Sequence, residues 1–207
     1  AVRTVHEQAN PVRDSAGRQI AVEGITQDIT DQVETEKRIS RLARYDALTG
    51  LPNREFFGKL AAKSLERARS ASNTCALVYL DVDRFKSVND AVGQQRANGV
   101  LVTLAERLTA SVRDIEPKFA GHMASESVLA RVGPNTFALL LIDIGDEQHA
   151  GAVTDQLLQS VSMPLAIDGS ELVLTASAGI ALYPRDSGNN HDLARCAEQA
   201  LHAAKSQ

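Results

Sequence analysis

Six apolar residues in unbroken succession, Cys75-Ala76-Leu77-Val78-Tyr79-Leu80, followed at once by Asp81, constrain the fold of this chain more than any other segment. The run has the length of one strand and no polar alternation, so both of its faces must be covered by other layers. That makes it a central strand. Its expected neighbours are a hairpin formed by Val128–Val132 and Phe137–Ile142, and a further strand over Leu172–Ala181. Helical patterning over Glu55–Ala71, about Arg84–Arg113, Glu147–Ser162 and Asn190–Lys205 supplies the covering layers, with Asp83 placed as the N-cap of the second. The result is an α+β fold with a central, mostly antiparallel sheet flanked by helices.

A chain of 207 residues with 43% hydrophobic content can bury a core without disulfides or metals. Its net charge of −4 gives no general attraction to nucleic acid or to an anionic membrane, so any nucleotide site must be local. Cys75 and Cys196 lack a CxxC partner or a histidine cluster and read as free thiols in a reducing compartment. No apolar run reaches the roughly 18 residues that a membrane span requires, and a cytoplasmic location is expected. The chain begins without Met and stops just after Ala204-Lys205, as a piece of a longer protein would.

Before the core pattern, residues 1–30 read as two strands, Val2–Gln8 and Gln19–Thr26, joined across Asp14-Ser15-Ala16-Gly17. A lone hairpin is marginal in water. Residues 31–44 are polar and helix-prone, with Val33, Ile39 and Leu42 as scattered apolar positions, and read either as a signalling linker helix paired in a homodimer or as a solvated connector. Residues 45–207 form the remaining domain. The stretch Pro11–Gly17 together with Glu23–Thr30 resembles the last strands of a PAS sensor domain; a stray surface hairpin is the alternative.

Five motifs stand in order: Asp46-Ala47-Leu48-Thr49-Gly50-Leu51-Pro52-Asn53-Arg54; Asp81-Val82-Asp83-Arg84-Phe85-Lys86-Ser87-Val88-Asn89-Asp90; Arg131-Val132-Gly133-Pro134-Asn135-Thr136-Phe137; Ala176–Pro184; and Ala200–Lys205. In this order they resemble the GGDEF family of bacterial diguanylate cyclase domains. The resemblance covers roughly residues 44–207 and implies a ferredoxin-like, nucleotidyl-cyclase-like sandwich. It also implies a chemistry, attack of a 3′-hydroxyl on the α-phosphorus of GTP, which needs metal held by carboxylates, a base and donors for a triphosphate. By that likeness Asp81 and the Val82 carbonyl are the metal positions. Phe85, Lys86 and Lys205 belong to the phosphate side, where a helix N-terminus offers free N–H groups, and Asn89 and Asn98 take the base-reading positions.

The signature itself departs from the family, which has two glycines, two acids and a phenylalanine where this chain has Gly133, Pro134, Asn135, Thr136 and Phe137. The catalytic positions Asn135 and Thr136 are therefore vestigial. Asn135 offers a metal only a neutral oxygen, and loss of a general base alone typically costs ~10²- to 10⁴-fold in rate. Pro134 fixes φ and removes an N–H where glycine lets a loop approach a nucleotide. As structure, Gly133-Pro134-Asn135-Thr136 reads as a β-turn with Asn at a position that tolerates positive φ. Asn98 stands where the family has Asp, and an amide sets a donor against one of the donors on guanine's edge. Ala124 and Ser127 replace the charges of the family's inhibitory Arg-x-x-Asp motif. Asp114–Met123 reads as an inserted loop, with Phe119 and Met123 either tucked in or contacting a partner.

These readings converge on a catalytically degenerate GGDEF domain, a regulatory module between a PAS sensor and an EAL phosphodiesterase domain. Residual cyclase activity and GTP sensing without turnover are the alternatives. No cofactor is expected beyond Mg²⁺ arriving weakly with GTP.

Overall fold

Eight consecutive buried side chains mark β3 (Cys75–Val82) as the strand around which the molecule is built. The structure is a computed structural model that describes residues 3–13, 15, 17–119, 127–167 and 170–206. The chain divides into two units, Ala1–Ala43 and Arg44–Gln207.

In the second unit β3 pairs antiparallel on one side with β5 (Thr136–Ile142) and on the other with β8 (Ala176–Tyr183), and β4 (Val128–Arg131) closes the far edge on β5. The sheet order is β4-β5-β3-β8. A small separate hairpin, β6 (Leu165–Ile167) with β7 (Ser170–Leu172), precedes β8. Strand side chains alternate faces, and the two faces of β3 feed two different cores. Ala76, Val78, Leu80 and Val82 meet the helices α3 (Phe85–Val92), α4 (Gln94–Phe119) and α5 (Glu147–Ser162). Cys75, Leu77 and Tyr79 meet α2 (Arg54–Ala71) and α6 (Asn190–Ala204). Asp81 continues the second row.

Helix α6 presents Leu193, Ala197 and Leu201 to that second core, a stripe at four-residue spacing. The helix lies unusually close to β8, and Gly179 is the reason. A Cβ at that position would fall on the backbone of Leu201 and Ala197. Adding even one carbon there forces the packed layers apart, a strain that typically costs ~1–3 kcal/mol.

Several expectations change. The segment from Arg84 is two helices, broken at Gly93, whose φ of 81° is easy for glycine alone. The second of them continues to Phe119, so the first half of the expected loop is helical. Met123 and Ala124 lie outside the described residues. Asp83 does not cap α3. Arg84 takes the cap position with a left-handed φ of 50° and no side-chain cap, while the Asp83 carboxylate accepts from the hydroxyls of Thr175 and Ser177, both at 2.8 Å. The expected turn is a bend without positive φ at Asn135. It is closed by the N–H groups of Val132 and Gly133, which both donate to the Thr136 carbonyl.

The first unit holds an antiparallel hairpin, β1 (Val5–Arg13) with β2 (Gln19–Asp28), and the helix α1 (Thr30–Leu42). The Thr30 hydroxyl donates to Asp28 at 2.6 Å and the Ile29 N–H to Thr4, fixing the exit from the hairpin. Val5, Ile20, Val22 and Ile25 are all more than half exposed.

Candidate functional site

The antiparallel register sets Asp81 directly opposite Thr136, at the end of the sheet where the signature bend begins. Cross-strand partners on one face lie within side-chain reach, and the Thr136 hydroxyl donates to Asp81 Oδ2 at 2.7 Å. Asn135, one residue earlier, turns its amide nitrogen to Asp81 Oδ1 at 2.7 Å and to the Val82 carbonyl at 2.8 Å. Two acceptors converging on one end of the amide assign that end as nitrogen. In this arrangement the Asn135 nitrogen, and not its oxygen, faces Asp81 and Val82.

Lys205 arrives from the opposite direction. It stands four residues beyond Leu201, so the buried stripe of α6 ends in an ammonium that points along the sheet to Asp81. Its Nζ is 2.5 Å from Asp81 Oδ1. Lys205 is therefore tied to a carboxylate. Asp81 is only 7% exposed, and an amide, a hydroxyl and an ammonium satisfy it.

A magnesium ion is surrounded by oxygen donors, usually one or two of them carboxylates. At this corner one carboxylate and one peptide oxygen face three hydrogen-bond donors, and the amide nitrogen holds the point where the two oxygens converge. The donor set does not fit a divalent cation. Among the described residues there is no group of three or more His, Cys, Asp or Glu side chains able to hold one.

The other expected positions spread along α3 and α4. The Phe85 side chain is buried in the core and contributes only backbone to any ligand surface. Lys86 is exposed. Asn89 and Asn98 are both half-buried, and neither side chain has a partner among the described residues. Ser127 is half-buried at the start of β4. Cys75 is buried, which pushes its thiol up and leaves it inert.

The outer flank of the bend carries a residue whose role the motifs alone did not reveal. Arg131 at the end of β4 sets Nη1 against both oxygens of Asp46, at 3.0 and 3.2 Å, and Nη2 donates to the Pro134 carbonyl at 2.6 Å. Its N–H donates to Pro52, and Arg54 Nε donates to Val132 at 2.7 Å. Asp46 is fixed in turn by the N–H and hydroxyl of Thr49 at 2.8 and 2.7 Å. Partial burial pushes the Asp46 carboxyl up, but the Thr49 donors and the Arg131 guanidinium together hold it below the usual carboxylate range. The spacing of Asp46 and Thr49 is a turn signal that was open to sequence reading; the pairing with Arg131, 85 residues away, was not.

A family model described as "Diguanylate cyclase, GGDEF domain" matches residues 43–207. The chain belongs to the GGDEF family. The cyclic di-GMP phosphodiesterase NbdA of Pseudomonas aeruginosa is 34% identical over 167 residues, covering 81% of this chain and 20% of NbdA. The bifunctional diguanylate cyclase/cyclic di-GMP phosphodiesterase MucR of the same organism is 32% identical over 178 residues, 86% of this chain and 24% of MucR. The chain thus spans about a fifth to a quarter of these relatives. A solved structure comprising only the GGDEF domain of Pseudomonas aeruginosa TpbB superposes with a TM-score of 0.70 at 31% identity, covering 79% of this chain and 89% of that one. The antiparallel sheet flanked by helices is the GGDEF fold. No described helix of this GGDEF protein is long and apolar enough to cross a membrane.

Proposed function

We propose that this GGDEF domain is a non-catalytic regulatory module of a cytoplasmic, multidomain cyclic di-GMP signalling protein. One observation carries the reading: the Asn135 amide nitrogen sits between Asp81 and the Val82 carbonyl, with Lys205 and Thr136 completing the shell. An amide cannot act as a general base, and an ammonium beside the carboxylate repels an incoming cation. Names of relatives agree with this setting, since NbdA is a phosphodiesterase and MucR is bifunctional. The module then lies between a PAS sensor upstream and an EAL domain downstream. The exposed apolar residues of β1 and β2 support a hairpin that belongs to a larger sheet.

GTP sensing without turnover is the second reading, favoured by the unpartnered amides of Asn89 and Asn98. Residual cyclase activity is the rival of both. Incubation with GTP and Mg²⁺ or Mn²⁺, followed by mass-spectrometric detection of product, separates them. No cyclic di-GMP is expected. Product that disappears in Asp81→Ala would overturn the non-catalytic reading, while GTP binding without product, weakened by Asn89→Ala, would select the sensor.

A further inference from the structure

At the end of the sheet opposite Asp81, where Tyr183 pairs with Cys75, a cleft of about 520 Å³ opens between α2 and the start of α6. Clefts of ~300–1,000 Å³ are the usual size of small-molecule sites. Tyr183 lines it and is 6% exposed, yet its hydroxyl has no partner among the described residues. That oxygen is also not among the polar atoms sealed from solvent. It therefore opens into the cleft. The side chains of Lys63 and Arg69 line the same space and have no ion pair or hydrogen bond among the described residues. Lys59 stands one turn before Lys63 and is held by Glu55 at 2.7 Å. Glu66 is the one carboxylate on the described lining. Like charges four residues apart weaken a helix, and Glu66, three residues from both Lys63 and Arg69, is a single acid against the three cations of the lining.

We propose that this cleft binds a small phosphorylated molecule. Lys63 and the fork of Arg69 take the phosphate oxygens, the Tyr183 hydroxyl donates to one of them, and Leu65 and Ala62 supply an apolar wall for the organic part. The site is independent of the Asp81 corner, from which it is separated by the length of β3.

Calorimetric titration of the 207-residue chain with inorganic pyrophosphate tests it. Wild type is expected to bind; Lys63→Gln and Arg69→Gln each weaken binding about tenfold, a loss of one charge-assisted contact. Tyr183→Phe, which removes a single oxygen and keeps the ring packed, weakens it several-fold without lowering the melting temperature. Lys205→Ala leaves it unchanged. Displacement of pyrophosphate by GTP assigns the cleft to nucleotides, and failure to displace assigns it to other phosphorylated molecules. Absence of wild-type binding, equal binding in all three cleft variants, or loss on Lys205→Ala would each overturn the proposal.

Discussion

The bend between β4 and β5 is tied down on both flanks through a carboxylate, and the two ties differ in kind. On the outer flank the rigid guanidinium of Arg131 gives one arm to Asp46 and the other to the Pro134 carbonyl, and Thr49 adds further bonds to Asp46. On the inner flank Asp81 meets the end of a flexible lysine together with an amide and a hydroxyl. Arg131 is 12% exposed at its side chain and Lys205 is 40% exposed. The outer tie is a geometric clamp that fixes where the bend stands. The inner one is a neutralised charge, where Asp81 keeps its place in the sheet and accepts from three donors of the chain. The position of the hairpin and the donors at its tip thus rest on separate sets of residues.

Asp81→Ala should cost most, because it removes the shared acceptor of three groups and strands an amide and a hydroxyl in a mostly buried corner. A loss of ~3–5 kcal/mol is expected in denaturant unfolding. Asp46→Ala should cost about 2–3 kcal/mol, less than a fully buried pair because Asp46 keeps some contact with water. If the order of these two were reversed, the outer clamp and not the inner cluster would dominate the hairpin's stability.

Acid adds a second axis to the comparison. The folded Asp46 carboxyl is held below its unfolded value of about 3.9. Its contribution is therefore complete above that value and is lost as pH falls through the folded one. Wild-type stability should decline below about pH 4, and Asp46→Asn should flatten part of that decline. An unchanged acid limb in the variant would remove Asp46 from the account of acid unfolding. Lys205→Met should have the smallest effect, about 1–2 kcal/mol, since the ammonium is half-exposed and Asp81 keeps the amide and the hydroxyl as donors.

Much of this arrangement was legible in the chain. The apolar run at Cys75 named the central strand, and Glu147–Ser162 stands with the bounds its periodicity gave. The helix expected over Asn190–Lys205 is α6, and the family likeness singled out Lys205 without its contact. What Lys205 meets was not legible, because the contact with Asp81 spans 124 residues and depends on how closely Gly179 lets α6 approach. Asp83 misled for a similar reason. Its local position favours a cap, but Thr175 and Ser177 reach it across the sheet, and tertiary partners outweighed local preference. The last strand began later than expected, at Ala176, and the small β6–β7 hairpin before it was missed because three-residue strands leave too short a pattern to read.

The most direct measurement is thermal unfolding of wild type and of Asn135→Asp/Thr136→Glu, each with and without saturating Mg²⁺. The double variant replaces two donors with carboxylates facing Asp81, so it should melt lower than wild type without the ion. With Mg²⁺ it should recover by about 5–10 °C, since occupancy near one hundred times Kd contributes ~2.7 kcal/mol and each kcal/mol is worth about 2–4 °C. Wild type should melt at the same temperature in both conditions. A comparable Mg²⁺-dependent rise in wild type, abolished by Asp81→Ala, would show that the corner still takes a cation and that the donors around Asp81 yield to it.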